Sequence, residues 1–245
     1  MHPILRLYED ILPGDAQEIP VPPLPRMIFA VRGMLTVGGR VLGAGEAWYG
    51  EGEATVGCER GDARGAAENA GEPWRTRSGA AVGEPGNVGA TCWRFELASS
   101  DMPDGALSDD AIRSSLKLAA SLATLPKGDL LWRGDSVAFP PGGCAYLHRH
   151  QGPGIRCLVE GAIRIDTLGH STHYAPREAW YEAGPDPVFA QAASDRPTRF
   201  IRVLILPRDL LGKSSIQYVN EADKAKPRSQ EYKIFVDTPI AFRPA

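Results

Sequence analysis

Two histidines two residues apart, His148 and His150, are the strongest chemical signal in this chain. On a β-strand, side chains at that spacing project to one face. Two imidazoles aimed at one point can hold a single metal ion, or they can hydrogen-bond inside a polar pocket; the spacing allows both. The chain has five histidines, and apart from His2 all fall at 148, 150, 170 and 173. His170 and His173 flank Ser171-Thr172 in a hairpin-like segment and are expected at the surface. Tyr146 and Cys144 share the parity of the histidine pair. Tyr146 is expected to line the same pocket as a hydrogen-bonding wall, and Cys144 to pack. Glu182, just before the Ala183-Gly184-Pro185 turn, is a candidate oxygen donor, with an exposed rim position as the plainer expectation.

Those residues need strands to hold them, and the composition supplies strands. The chain has 245 residues, 43% hydrophobic and 23% charged, which excludes disorder and collagen-like structure. Its length suits one large domain or two of roughly 100 residues. Gly 27 and Pro 21 punctuate short apolar runs such as Met27-Ile28-Phe29-Ala30-Val31 and the stretch from Phe200 to Leu206. Short runs between turn signals predict an all-β sandwich or barrel. One helix is predicted over 108–122, with Ser108 as cap, Asp109 and Asp110 at its positive end and Pro126 beyond it.

The charge balance, 27 basic against 30 acidic residues for a net −3, lacks the footprint of a nucleic-acid binder. No run approaches the roughly 18 apolar residues of a membrane span. The first 25 residues hold several acids and prolines and no signal-peptide core. The four cysteines, Cys58, Cys92, Cys144 and Cys157, form no CxxC pattern. Reduced thiols and a cytoplasmic location are the expectation.

The chain also resembles itself. Glu46-Ala47-Trp48-Tyr49 recurs as Glu178-Ala179-Trp180-Tyr181, and at the same offset of 132 Gly52 matches Gly184 and Val56 matches Val188. Slightly upstream, the segment from Val31 to Val37 reads like that from Val159 to Ile165, at an offset of 128. Two homologous β-domains are predicted, over 18–98 and 127–208. A helical linker over 99–126 joins them, and an extension over 209–245 follows. Within that extension, Glu231 to Val236 alternates like a strand and is expected to cover a sheet edge. Copy one carries an insertion over 60–88, read as a long surface loop that could close the second pocket. Trp48 and Trp180 are read as core or inter-barrel packing residues.

The segment Pro140 to His150, followed by Gln151-Gly152-Pro153-Gly154 and a strand ending at Gly161, resembles the first cupin motif, G(x)5HxH(x)3-4E(x)6G. Gly142 stands six residues before His148, the HxH pair is 148/150, and Gly161 closes the motif. The segment from Ala175 to Pro185 resembles the second motif. Counted with its first copy, the resemblance covers most of the chain and implies a bicupin. The implied fold is two antiparallel jelly-roll barrels in tandem, joined by the short linker helix.

The resemblance also implies a divalent transition metal (Zn, Fe, Mn or Ni) in the C-terminal barrel, with His148 and His150 as ligands. Two usual ligands are missing: the motif glutamate position is Gly154, and the last histidine would fall near Val188 or Phe189. In copy one, alignment through Gly33 sets Pro20 and Pro22 opposite the histidines, so no metal is expected in the N-terminal barrel. Counting from position 154, alternation points Arg156 inward. Its partner is then a ligand carboxylate or phosphate, or else Glu160 or Glu178. Gln191 shares parity with Phe189 and is expected in the same pocket, as a hydrogen-bonding residue or weak metal ligand.

The leading functional expectation is a small-molecule pocket in the C-terminal barrel. It would serve metal-assisted chemistry of the dioxygenase, lyase or isomerase kind on a small anionic substrate. The rival is a non-catalytic binding or sensing module that has lost its metal. The expected partners are that small ligand and a second copy in a homodimer, with no nucleic acid and no membrane.

Overall fold

The two copies of the EAWY repeat fold into two sets of matching strands. In the structure, a computed structural model, residues 2–59, 89–109, 111–123 and 125–241 are described. The expected loop at 60–88 lies outside them.

The first half forms two sheets. The larger has the order β6 (Ala47–Gly50), β3 (Arg26–Arg32), β8 (Ala90–Ser99), β1 (Pro3–Leu12), β9 (Arg113–Ser121). The smaller runs β2 (Ile19–Val21), β7 (Ala54–Cys58), β4 (Leu35–Val37), β5 (Arg40–Leu42). In the second half the larger sheet is β15 (Ala179–Glu182), β12 (Gly154–Glu160), β17 (Thr198–Pro207), β10 (Leu130–Phe139), β19 (Glu231–Ile240). The smaller is β14 (His170–Tyr174), β13 (Ile163–Thr167), β16 (Val188–Ala192), β11 (Cys144–His150), β18 (Ile216–Tyr218). Strand for strand the orders correspond, and among the described residues β18 is the one addition.

Register makes the correspondence specific. Ile28 lies opposite Trp48 on one side and Arg94 on the other, and Arg156 lies opposite Trp180 and Arg202 in the same way. Trp48 and Trp180 therefore occupy equivalent strands. The repeated turn glycines Gly33 and Gly161 both adopt positive φ, 76° and 84°. A β-carbon at Gly161 would fall 2.4 Å from the Pro197 carbonyl oxygen, so only glycine fits there.

Among the described residues, separate apolar clusters fill the two barrels and join them. Ile28, Ala30, Leu35, Val37 and Val56 fill the first barrel, and Val137, Phe139, Ile163, Ile165 and Trp180 fill the second. A third cluster lies between the two large sheets, where Leu5, Met27, Phe29 and Phe95 meet Trp132, Ile155, Ile201 and Val203. The barrels are thus joined through an apolar interface resembling a core cut in half. At its edge the Arg177 guanidinium, from the second half, donates to Glu9 Oε1 of the first at 2.5 Å.

The helix predicted over 108–122 does not form. Residues 113–121 are β9, paired antiparallel with β1 from Ile4↔Ser121 to Ile11↔Arg113. β1 already pairs β8 on one side, and its other edge presents backbone groups that need partners. That demand outweighs the helix preference of Leu, Lys and Ala in this segment, since propensity is a weak prior. Strand β9 stands to β1 as β19 stands to β10, so the linker is a sheet element and the first barrel draws strands from outside 18–98. Among the described residues there are no α-helices, only the 3-10 turns Arg208–Leu210 and Glu221–Ala225. No helix there is long and apolar enough to cross a membrane.

Candidate functional site

β11 carries both histidines into the second barrel, where His148 and His150 are buried. Their Nε2 atoms face each other at 3.3 Å, with the rings nearly perpendicular. His148 Nδ1 lies 2.7 Å from the Tyr146 carbonyl oxygen, and His150 Nδ1 lies 3.4 Å from Ser215 Oγ. Burial holds both imidazoles below their ordinary value, opposed at His148 by Glu182 and the Tyr146 carbonyl and reinforced at His150 by the positive charge of Arg156. Neutral rings keep a lone pair for a metal ion.

Glu182 is the carboxylate of the pocket, not a rim residue. It is buried on β15, directly opposite Gly154 on β12. Trp180 Nε1 donates to Glu182 Oε1 at 2.8 Å, and Oε2 lies 3.6 Å from His150 Nε2. Arg156 Nη2 is 2.8 Å from the same Oε2, but off the hydrogen-bond direction, so both atoms are buried without a directed partner. Arg156 Nη1 donates to the Gly154 carbonyl at 2.7 Å. Burial lowers the Arg156 guanidinium to about 10, with Glu182 opposing the shift. The alternation count placed Arg156 correctly, whereas its two expected protein partners are engaged elsewhere. Glu160 accepts from Arg199, and Glu178 accepts from the Ala175 amide.

A second buried ion pair backs the pocket. Arg202 on β17 donates to both carboxylate oxygens of Asp135 on β10, at 2.7 and 2.9 Å. This bidentate fork and the Arg156–Glu182 pair leave the site without net charge. The remaining wall is apolar, with Val137, Phe139, Ala145, Ile165, Val188 and Phe200. Ile216, Gln230 and Tyr232, all from the C-terminal extension, close it. The cavity is partly open and about 20 Å³, room for one or two atoms the size of water oxygen.

Two expected pocket residues are elsewhere. Gln191 points away: Val188, Ala190 and Ala192 are the buried positions of β16, and Gln191 Nε2 donates to the Gly142 and Gly143 carbonyls. Positions 189 and 191 share parity as expected, but both face outward. Tyr146 serves through its carbonyl instead of its ring, which lies under the Lys226 ammonium at 4.6 Å. The β11–β16 register shifts between Ala145 and His148, so parity counted back from the histidines breaks there. His170 and His173 are exposed, as expected. Cys144 is half-buried, with its backbone held by Ser229.

The spacing did not single out Trp180 as the clamp on Glu182, nor Asp135, Arg202 and Ser215. For Arg202 the signal was present, as a charged residue inside the apolar run Phe200-Ile201-Arg202-Val203. Such a residue on a buried strand must be paired.

The chain's own side chains offer a metal two imidazoles and one nearby carboxylate. Among the described residues no three His, Cys, Asp or Glu side chains already form a complete ligand cluster. The Nε2–Nε2 separation nevertheless matches an ion held by both. Two nitrogens bound to one tetrahedral ion at about 2.0–2.1 Å stand about 3.3–3.4 Å apart.

No protein-family model and no curated protein sequence matches the chain. Solved structures do. A variant of oxalate decarboxylase from Bacillus subtilis is 12% identical over 92% of this chain and 74% of its own, with a TM-score of 0.57. AerE from Microcystis aeruginosa is 13% identical over 84% of this chain and 89% of its own, with a TM-score of 0.52. At such identities the likeness is one of fold.

Proposed function

We propose that this chain, which has the two-barrel cupin fold, uses its C-terminal barrel as a metal-assisted site for a small anionic molecule. The observation that carries the reading is the 3.3 Å separation of the His148 and His150 Nε2 atoms in a buried pocket. His148 and His150 would hold a divalent transition metal, with Glu182 Oε2, buried and without a directed partner, as the nearest oxygen donor. When bound, the metal supplies Lewis acidity to a coordinated oxygen. The protein residues exclude water, orient the ligand and balance its charge. An ion of charge 2+ unbalances a pocket that is otherwise neutral, which favours an anion as the second occupant. Arg156, with one guanidinium nitrogen lacking a directed acceptor, is the group that would orient that anion.

The first barrel has a different role in this reading. It holds an apolar cluster around Val21, Leu35 and Val56 and a buried ion-pair group, Arg94 with Asp10 and Glu96, and the only histidine in its half of the sequence is His2. We assign the barrel built around 18–98, completed by β1 and β9, as the scaffold unit, and the barrel built around 127–208, completed by β19, as the site unit, with residues 208–230 as its cover.

One observation favours the rival, a non-catalytic binding module. Glu182 is held by both Trp180 and Arg156, so a metal must compete with a guanidinium for its carboxylate. Calorimetric titration separates the two readings. Untagged protein is titrated with Zn²⁺ or Mn²⁺, then with formate, the smallest carboxylate and the one best suited to a cavity of about 20 Å³. The enzyme reading expects carboxylate binding that depends on the metal and is lost in Arg156→Ala while metal binding persists. Carboxylate binding that ignores the metal supports the module.

A further inference from the structure

The connection between β17 and β19, residues 208–230, corresponds to the one between β8 and β9 in the first half. In the first barrel that connection fills space: Leu107 and Ile112 pack into the interior cluster. In the second it adds β18, which pairs with β11 in a register that sets Tyr218 opposite His148 and Ile216 opposite His150. The segment is tied at both ends. Arg133 donates to the Lys213 and Leu210 carbonyls at 2.7 Å, and the Ser229 hydroxyl bonds both backbone groups of Cys144 at 3.0 Å. Between these ties Ser215, buried, brings its hydroxyl to His150 Nδ1 at 3.4 Å.

The contacts order the hydrogens along this line. A carbonyl only accepts, so His148 carries hydrogen on Nδ1 and donates to the Tyr146 oxygen. The neutral ring then presents a bare Nε2, 3.3 Å from His150 Nε2, and His150 Nε2–H is the donor that satisfies it. Glu182 Oε2, at 3.6 Å, is too far to take that hydrogen instead. His150 Nδ1 is left bare and accepts from the Ser215 hydroxyl. For His150 to present Nε2 to an ion, the hydrogen must stand on Nδ1, and its partner must become an acceptor. A hydroxyl can do both; a carbonyl or an ammonium can do only one.

We propose that Ser215 is the positioning residue of the site, donating to His150 Nδ1 in the metal-free pocket and accepting from it when His150 Nε2 faces an ion. The second half of this statement rests on the metal reading above; the first does not. The hydrogen moves between the two nitrogens of one ring, through exchange with water, so no net proton is released and no electrons are transferred. The strap over 208–230 is then part of the site, although it lies outside the repeated segments of the sequence.

Long-range proton–nitrogen NMR of the two rings tests this in the full chain. In metal-free protein the expected pattern is Nδ1–H on His148 and Nε2–H on His150. Zinc should move the His150 hydrogen to Nδ1. Ser215→Ala removes only the hydroxyl and should weaken zinc binding about tenfold or more, the usual effect of losing an outer partner of a ligand. Ser215→Thr, which keeps the hydroxyl, should restore most of it. A purely structural role would lower the unfolding midpoint of Ser215→Ala and leave its zinc affinity alone, which overturns the proposal. Nδ1–H on His150 in the metal-free protein overturns the proposal while leaving the metal reading intact. Absence of zinc uptake by the wild type overturns the metal reading and the second half of the proposal, while the hydrogen pattern of the metal-free rings decides the first half separately.

Discussion

Gly154 and Glu182 face each other across the β12–β15 pair, so the carboxylate of this pocket arises on the strand opposite the position where the resembled motif carries one. A β-carbon at 154 would lie 2.2 Å from the Val203 carbonyl oxygen, because β12 and β17 approach closely there. No side chain fits at that position. The acid is supplied from across the strand pair, and Trp180 holds it in place.

Substitutions at these two positions should therefore behave oppositely to a simple motif repair. Glu182→Gln should weaken metal binding at least tenfold with modest loss of stability. Gly154→Glu, which restores the motif on paper, should destabilise the protein by roughly 1–3 kcal/mol through overpacking. It should not rescue Glu182→Gln. Denaturant unfolding together with metal titration of the single and double variants checks both statements.

The Asp135–Arg202 fork should matter more for stability than any surface pair. Both side chains are buried, and Asp135→Ala leaves a guanidinium without its bidentate acceptor. The expected loss is about 3–5 kcal/mol in urea unfolding. Exposed pairs such as Arg208–Asp129 should change by less than about 1 kcal/mol on the same substitution.

Acid should weaken the joint between the barrels through Glu9. Burial alone would raise this carboxyl, but the hydrogen bonds from Arg177 and Trp93, with the nearby Lys117 charge, outweigh burial and hold it below its ordinary 4.5. The folded state thus binds this proton more weakly than the unfolded chain does. Its contribution is present above pH 4.5 and is lost as pH falls through the depressed folded value. Thermal melts of wild type and Glu9→Gln at falling pH should converge in acid. Curves that stay parallel would remove Glu9 from the joint.

Much of this was legible in the residues. The repeat around Trp48 and Trp180 foretold two barrels because a fixed offset in turns and strands is a fixed topology. The HxH spacing placed both histidines on one face because alternation along a strand is strict. Where alternation had to cross an irregularity it failed, at Tyr146 beyond the β11 bulge and at Gln191, where the parity was tied to an outward position. The segment 113–121 misled because the need of β1 for a second neighbour is a tertiary fact that no local pattern of Leu, Ala and Lys records. Glu182 was visible as an acid before a turn, yet its burial depends on the opposing Gly154, a long-range pairing. Ser215 carries no local signal at all; only the path of the strap brings it to His150.

If His148 and His150 hold one metal ion, a metal-loading experiment shows it. Untagged wild type and the His148→Ala/His150→Ala double variant are incubated with tens of micromolar Zn²⁺ or Mn²⁺, desalted and assayed for bound metal, with β-structure followed by circular dichroism. About one equivalent is expected per wild-type chain, none in the double variant, and the same β-spectrum in both. A metal-free wild type, or a double variant that loads as well as the wild type, contradicts it.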